Sequence, residues 1–268
     1  MRKWMLSFVF VLTVSLAACN NDDMEDVFTK AMEVSEGMES AEVVMDISQL
    51  LSSGESMNLE MQSEMKAEMI VDPIAMYQSG TMHMEMDGFP MDMETEMYMT
   101  EEGLFTYDSM SQSWIRLDNE MYADLANLEQ QDPSAQLELL EPFMDDVEFE
   151  ETADGYIFRF AGEGESLNQF SEKVLAEYMD TEMFADFGAD ITEILESMTV
   201  NKLNYEMVID KQTYETKTFT MDLDMTVAAE GEELSISQQV NAEYTGINTV
   251  DSIEVPQEVL DNAVDMSY

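Results

Sequence analysis

Along residues 57–99 methionine falls so often on every second position that one backbone conformation is singled out. Met57, Leu59, Met61, Met65, Ala67, Met69 and Val71 share one parity, while Glu60, Gln62, Glu64, Lys66 and Glu68 take the other. After Asp72-Pro73 the beat returns with Ile74, Met76, Met82, Met84 and Met86, and after Gly88-Phe89-Pro90 with Met91, Met93, Met97 and Met99. Successive side chains of a strand point to opposite faces, so each segment carries one soft apolar face and one acidic face. The spacing predicts three long antiparallel strands, roughly 55–71, 74–87 and 91–101, with the methionines on the concave side. Strands of that length rarely stay flat, so bulges and strong curvature are expected, with a bend at Gly80.

The start of the chain lies outside the fold. Arg2 and Lys3 precede an apolar run from Trp4 to Leu16 that is too short for a comfortable membrane span. Leu16-Ala17-Ala18-Cys19 resembles the lipobox of bacterial lipoproteins. That resemblance implies cleavage before Cys19, the one cysteine, and attachment of a diacylglycerol to its thiol. Residues 1–18 are then a signal peptide, 19–23 a lipidated tether, and 24–268 a single domain. The protein would sit on the extracytoplasmic face of the cell membrane, anchored by acyl chains that each add roughly 0.8 kcal/mol per buried methylene. With its thiol acylated it can form no disulfide, and its stability has to come from core burial.

Fifty-nine acidic residues against ten basic ones give a formal charge of −49. Such a surface excludes nucleic acid and disfavours an anionic membrane surface or wall polymer. It also repels itself unless counterions screen it, which points to a salty or alkaline medium. The 45% hydrophobic fraction and the clean alternation argue for a folded chain rather than a disordered one.

The remaining chain is read by its period. Val27, Ala31, Val34 and Met38 recur at helical spacing over 24–38, with Asp22 or Asp23 as N-cap. Ala41, Val43, Met45 and Ile47 make a strand over 40–51. Short strands at 104–107 and 114–117 follow the methionine segments. Residues 118–131, 133–144 and 166–197 take the helical period. A hairpin turns at Asp154-Gly155 between 147–152 and 156–160. Strands return at Leu203–Ile209, Phe219–Val227 and Leu234–Tyr244, and Pro256 stops a strand end at 253–255 before a short helical turn. No connection between strands is long enough for a crossover, so an antiparallel arrangement is expected throughout.

The lipobox, the leading helix, the long meander, Trp114-Ile115-Arg116-Leu117 and the closing Ile253-Glu254-Val255-Pro256-Gln257-Glu258-Val259 together look like an uncharacterised family of Gram-positive (Bacillales) surface lipoproteins. In fold this pattern is similar to the LolA/LolB and mycobacterial LppX/LprG lipoprotein carriers. The resemblance implies an α+β protein: a strongly curved antiparallel half-barrel sheet of about 10–11 strands, LolA-like, with helices packed in its concave side as a lid. It also implies a cavity that shelters acyl chains.

Three functional readings follow. Methionine is unbranched and adaptable, and is used on surfaces that accept varied apolar partners. A cavity lined by Met61, Met65, Met69, Met82, Met84, Met93, Met97, Met221 and Met225 would take a lipid or lipid-linked ligand. The alternative is a non-catalytic structural or interaction lipoprotein whose methionines only fill a core. The third is a Cu(I)-binding surface protein, since thioethers select Cu(I) and M-x-M spacings occur at Met82-His83-Met84 and Met91-Asp92-Met93. His83, the single histidine, falls on the opposite parity, which removes the best nitrogen ligand. No nucleophile elbow, metalloprotease helix, phosphate loop, dinucleotide fingerprint or calcium loop is present, so neither enzyme activity nor a cofactor is expected. A monomer is expected.

Overall fold

The computed structural model describes residues 23–54, 57–86, 88–117, 137, 144, 146–163, 198–229 and 232–265. Cys19 and the residues expected to form a signal peptide, 1–18, lie outside them, as do most of 118–144 and all of 166–197, where the sequence predicts helices.

Helix α1 is Met24–Glu36. Asp23 stands at its N-cap with extended backbone, but its carboxylate makes no capping bond. Strands β1 Ser40–Ser53, β2 Met57–Ile70, β3 Ala75–Met86 and β4 Phe89–Thr100 follow as a meander. They continue into β5 Gly103–Asp108 and β6 Ser113–Arg116. The second half holds β7 Glu148–Glu151, β8 Tyr156–Glu163, β9 Met198–Ile209, β10 Thr216–Ala229 and β11 Glu232–Ile247. A short helix α2, Gln257–Asn262, and β12, Val264–Asp265, complete the described chain.

All twelve strands form one sheet in the order β12-β6-β5-β4-β3-β2-β1-β11-β10-β9-β8-β7. It does not close, because β12 and β7 are both edges. The strand total exceeds the expected ten or eleven by the two-residue β12. That strand pairs with β6 in parallel, which corrects the all-antiparallel expectation. The crossover it needs is supplied by the chain from 117 onward, far longer than a hairpin.

The turns carry the local chemistry that the residues call for. Gly88, with φ +83°, closes the β3–β4 hairpin between the paired Met86 and Phe89. At Asp154-Gly155 the Thr152 amide and hydroxyl both donate to the Gly155 carbonyl, at 2.9 and 2.8 Å. The Asp210 carboxylate accepts from the amides of Gln212 and Thr213, at 2.7 and 3.1 Å, which holds its carboxyl below the usual range.

Register shifts occur at Glu42/Val43, Thr216/Thr218 and Asp224/Met225, and none falls within β2–β4. Gly80 is therefore no bend: it pairs directly with Met65 in an unbroken ladder. A Cβ there would collide with the Glu64 carbonyl oxygen and lie 2.6 Å from the Met65 sulfur. The glycine makes room for Met65, which is buried in the middle of β2.

The two described helices lie on opposite faces of the sheet. Val27, Phe28 and Ala31 of α1 pack with Leu137, Tyr156, Phe158, Phe160, Leu203, Met207 and Ile209, on the methionine side. Val259 of α2, with Val255 before it, packs against Phe105, with Tyr98 and Trp114 alongside. Tyr98 shares its face with Tyr77 and, along β3, with His83. The expectation that helices pack together on one side thus holds for α1 and fails for α2. After β11 the chain is tied back by Asn248, whose side-chain oxygen accepts from the amides of Glu39 and Ser40. From there it crosses past β1–β5 to reach β6.

Candidate functional site: the methionine face

Directly paired residues of neighbouring strands share a face, so the register builds continuous rows across the sheet. One row runs Met93, Met82, Ser63, Ile47, Val240, Met221, Tyr205, Phe160 from β4 to β8. The next runs Met91, Met84, Met61, Gln49, Gln238, Leu223, Leu203. A third runs Thr95, Gly80, Met65, Met45, Ala242, Phe219, Met207, Phe158. Along β1–β4 and β8–β11 no charged side chain among the described residues stands on this face. Asn58, Glu60, Gln62, Glu64, Lys66 and Glu68 of β2 all point the other way and are exposed.

The nine methionines singled out from the sequence all belong to this face, but the fold separates them. Met61, Met65, Met69, Met82, Met84, Met93 and Met97 occupy β2–β4. Met221 and Met225 lie on β10, across the intervening β1 and β11, and pack against the core beneath α1. Met69 packs against the small cluster of Ala41, Val43 and Ala242. Under α1 the face is filled. The space beside Val34, Met38, Leu137, Tyr244 and Ile247 measures about 20 Å³, room for one water at most. At the β3–β4 hairpin the face opens: Met91 is 43% exposed, Met86 52% and Phe89 78%, whereas Met99 and Leu104 at the other end of β4 are buried.

Several polar residues on this face escape a reading that looks only for methionine. Gln49 and Gln238 are paired near its middle, and Ser63, Gln78 and Thr95 lie among the methionines. Their signal is present in the sequence as polar residues on the apolar parity. Tyr205 is another: its ring is half-buried, yet its hydroxyl oxygen is enclosed and has no hydrogen-bond partner among the described residues. Burial pushes the Tyr205 phenol far above its ordinary 10.0, and the neighbouring Tyr244 adds to the shift.

The opposite face is charged. Arg159 donates to Glu150 and Glu206 at 2.7 and 2.5 Å, and Lys202 to Asp222 at 2.5 Å. His83 Nδ1 lies 2.6 Å from Asp92 Oδ1. That bond, helped by the negative charge of Asp92, Glu85 and Glu60, raises the imidazole above its ordinary 6.5. His83 is thus held away from Met82 and Met84. No group of three or more His, Cys, Asp or Glu side chains able to hold a metal occurs among the described residues. Nor is any described helix long and apolar enough to cross a membrane.

Geometry and surface together define a class: an open, mostly antiparallel sheet protein with one acidic face and one methionine-rich face that is uncharged along β1–β4 and β8–β11. The chain belongs to the Family of unknown function (DUF6612), whose model matches residues 23–264. No curated protein matches it in sequence. Among solved structures it is similar to LprF from Mycobacterium bovis, at TM-score 0.39 and 10% identity, over 87% of this chain and 96% of that one. It is also similar to lipovitellin, in a structure described by its lipid–protein interactions, at TM-score 0.30 and 9% identity over 81% and 26% of the two chains. A DUF1329 family protein from Desulfovibrio piger ATCC 29098 follows at TM-score 0.28 and 10% identity, over 82% and 92%. Likeness this slight carries none of the functional argument below.

Proposed function

We propose that this protein is a non-catalytic lipoprotein, anchored through acylated Cys19 on the extracytoplasmic face of the membrane, that binds a lipid or lipid-linked molecule on its methionine face. One observation carries the reading. The face holds no charge across eight strands, is packed beneath α1 and again at Met65, Met99 and Leu104, and runs out at the hairpin end of β2–β4 to large apolar side chains exposed at Met86, Phe89 and Met91. Uncovered apolar surface of this kind marks a site that something else occupies. The flexible thioethers of Met61, Met82, Met84 and Met93 would adapt to chains of varied shape. Gln49, Gln238 and Ser63 offer the few polar groups that orient a ligand in an otherwise apolar site.

The experiment is native mass spectrometry of protein extracted from its own membrane. A co-purifying lipid is expected, together with a diacylglycerol on the Cys19 peptide. Met84→Glu should lose the bound lipid while keeping the circular dichroism of the sheet. Protein that arrives empty and takes up no lipid from vesicles would reject the reading in favour of a structural role.

The direct pairing of Met84 with both Met61 and Met91, and of Met82 with Met93, favours one second reading. Five thioethers in two adjacent rows could collect Cu(I) without His83. A Cu(I) competition titration separates the two, since only that reading expects binding that Met84→Leu abolishes.

A further inference from the structure

The longest strands of the sheet are not matched by their neighbours. β4 pairs with β3 along Met76–Met86, but β5 covers only Met97–Thr100 of its other side. Phe89 to Glu96 therefore keep a free edge among the described residues, about 27 Å long at roughly 3.4 Å per residue. The two-residue hairpins closed by Met86–Phe89 and Thr100–Gly103 set which backbone groups point along it. In an antiparallel ladder the hydrogen-bonding direction alternates, so the amides and carbonyls of Asp92, Glu94 and Glu96 face outward while those of Met91, Met93 and Thr95 bond to β3. The edge borders a groove of about 620 Å³ lined by Met91, Asp92, Met93, Glu94, Ser109 and Met110. Met110 across the groove is 78% exposed.

Proteins normally blunt such an edge with short strands, lysines or bulges. Here the edge is long and unbulged, and Pro90 guards only its first outward position. The side chains state what would fit. On one face they are Asp92, Glu94 and Glu96; on the other Met91, Met93 and Thr95. Asp92 is engaged by His83 and Glu96 accepts from the Tyr77 hydroxyl at 2.9 Å, while Glu94 makes no ion pair among the described residues. A second copy of this chain fits poorly. Pairing β4 with itself keeps the parity of the sheet and sets the carboxylates of both copies on one face, opposite one another, which is destabilising.

We propose that the free edge of β4 over Phe89–Glu96 is a docking site for an extended segment of a partner protein, added to the sheet as a further strand. Its residues alternate lysine or arginine, set against Asp92, Glu94 and Glu96, with apolar side chains set against Met91 and Met93. Backbone bonds give the affinity and the alternation gives the selectivity, as in other strand-addition complexes. The added strand would extend the methionine face past Met91 and Met93, while its backbone bonds and basic residues engage groups of β4 that the lipid reading does not use.

The probe is a fluorescently labelled ten-residue peptide of alternating lysine and leucine, titrated against the lipid-free protein and read by anisotropy. Saturable binding is expected, with the amides of Asp92, Glu94 and Glu96 protected from exchange in the complex. Glu94→Pro removes an outward amide without touching the β3 ladder, and should weaken binding roughly tenfold or more. Glu94→Lys should shift preference toward a peptide alternating glutamate and leucine. Three results would overturn the proposal. The first is equal binding by Glu94→Pro, which means charge attraction elsewhere. The second is equal binding of a shuffled lysine–leucine peptide that lacks the alternation. The third is a dimer in sedimentation that Glu94→Pro dissolves, which would make a second copy the occupant.

Discussion

Gly80 shows how a single missing side chain serves the site. Its ladder is regular, and what it provides is space for Met65, which fills the hollow from the opposite strand. Gly80→Ala should cost roughly 1–3 kcal/mol, because the new methyl meets backbone on β2 as well as a movable sulfur. Chemical denaturation measures it directly. Tyr205 is the opposite case, a hydroxyl present without a partner among the described residues. Removing a buried hydroxyl that finds no acceptor or donor among the described residues relieves its desolvation, so Tyr205→Phe should raise stability by roughly 1–3 kcal/mol in the ligand-free protein. His83 is a third residue with a clean readout, since the chain holds one histidine. Its folded pKa is raised, so its link to Asp92 is fully present below about 6.5 and is lost as pH climbs through the raised value. An NMR titration of the imidazole should show a midpoint above 6.5, and Asp92→Asn should move it down. A midpoint at or below the ordinary value in the intact protein would mean the pair does not form in solution.

At the scale of elements, two short helices divide the labour between the faces. α1 seals one half of the methionine face by placing Val27, Phe28 and Ala31 on β8 and β9, with Phe28 and Phe158 ring centroids 6.1 Å apart. α2 anchors the C-terminal crossing on the opposite face through Val255, Val259 and Phe105. An aromatic chain from Tyr77 through Tyr98 to Trp114 and Tyr107 extends that contact, with centroids 4.5 to 5.6 Å apart. A charge placed under α2 should therefore free the crossing without disturbing the methionine face. Val259→Asp is expected to raise amide exchange over 257–265 and leave the exchange of β2–β4 unchanged. Protection lost across β2–β4 as well would show that α2 supports the whole meander.

For the molecule as a whole, the formal charge of −49 dominates behaviour in solution. Acidic side chains crowd one face of the sheet and meet few cations: Arg159, Lys202, Lys211 and Lys217 pair with acids on the β7–β10 side, while β2–β4 carry only Lys66. Self-repulsion falls as the Debye length shrinks from about 10 Å at 0.1 M salt to 3 Å at 1 M. The melting temperature should rise with NaCl across that range, most steeply below 0.5 M, and a flat or falling curve would show that the acidic surface is merely solubilising.

The two-residue beat determined β2, β3 and β4 to within a few residues of their ends and assigned their apolar face correctly, because strand pleating is a local property that side-chain polarity follows directly. Strands β9, β10 and β11 of the second half were legible for the same reason. Which strands become neighbours was decided only by tertiary packing: β1 joins β11, so the two halves share one sheet and the methionine rows continue into Phe219–Val227. The side taken by α2 was equally invisible, since a six-residue helix with one valine and one leucine reads the same whichever face it covers. So was the split of the nine methionines into packed and open ones, which depends on what lies over each row of the assembled sheet. Most informative is the unmatched length of β4. Each strand's extent is written in its own residues, but a free edge exists only as a difference between neighbours, and that difference is set by the register of the assembled sheet.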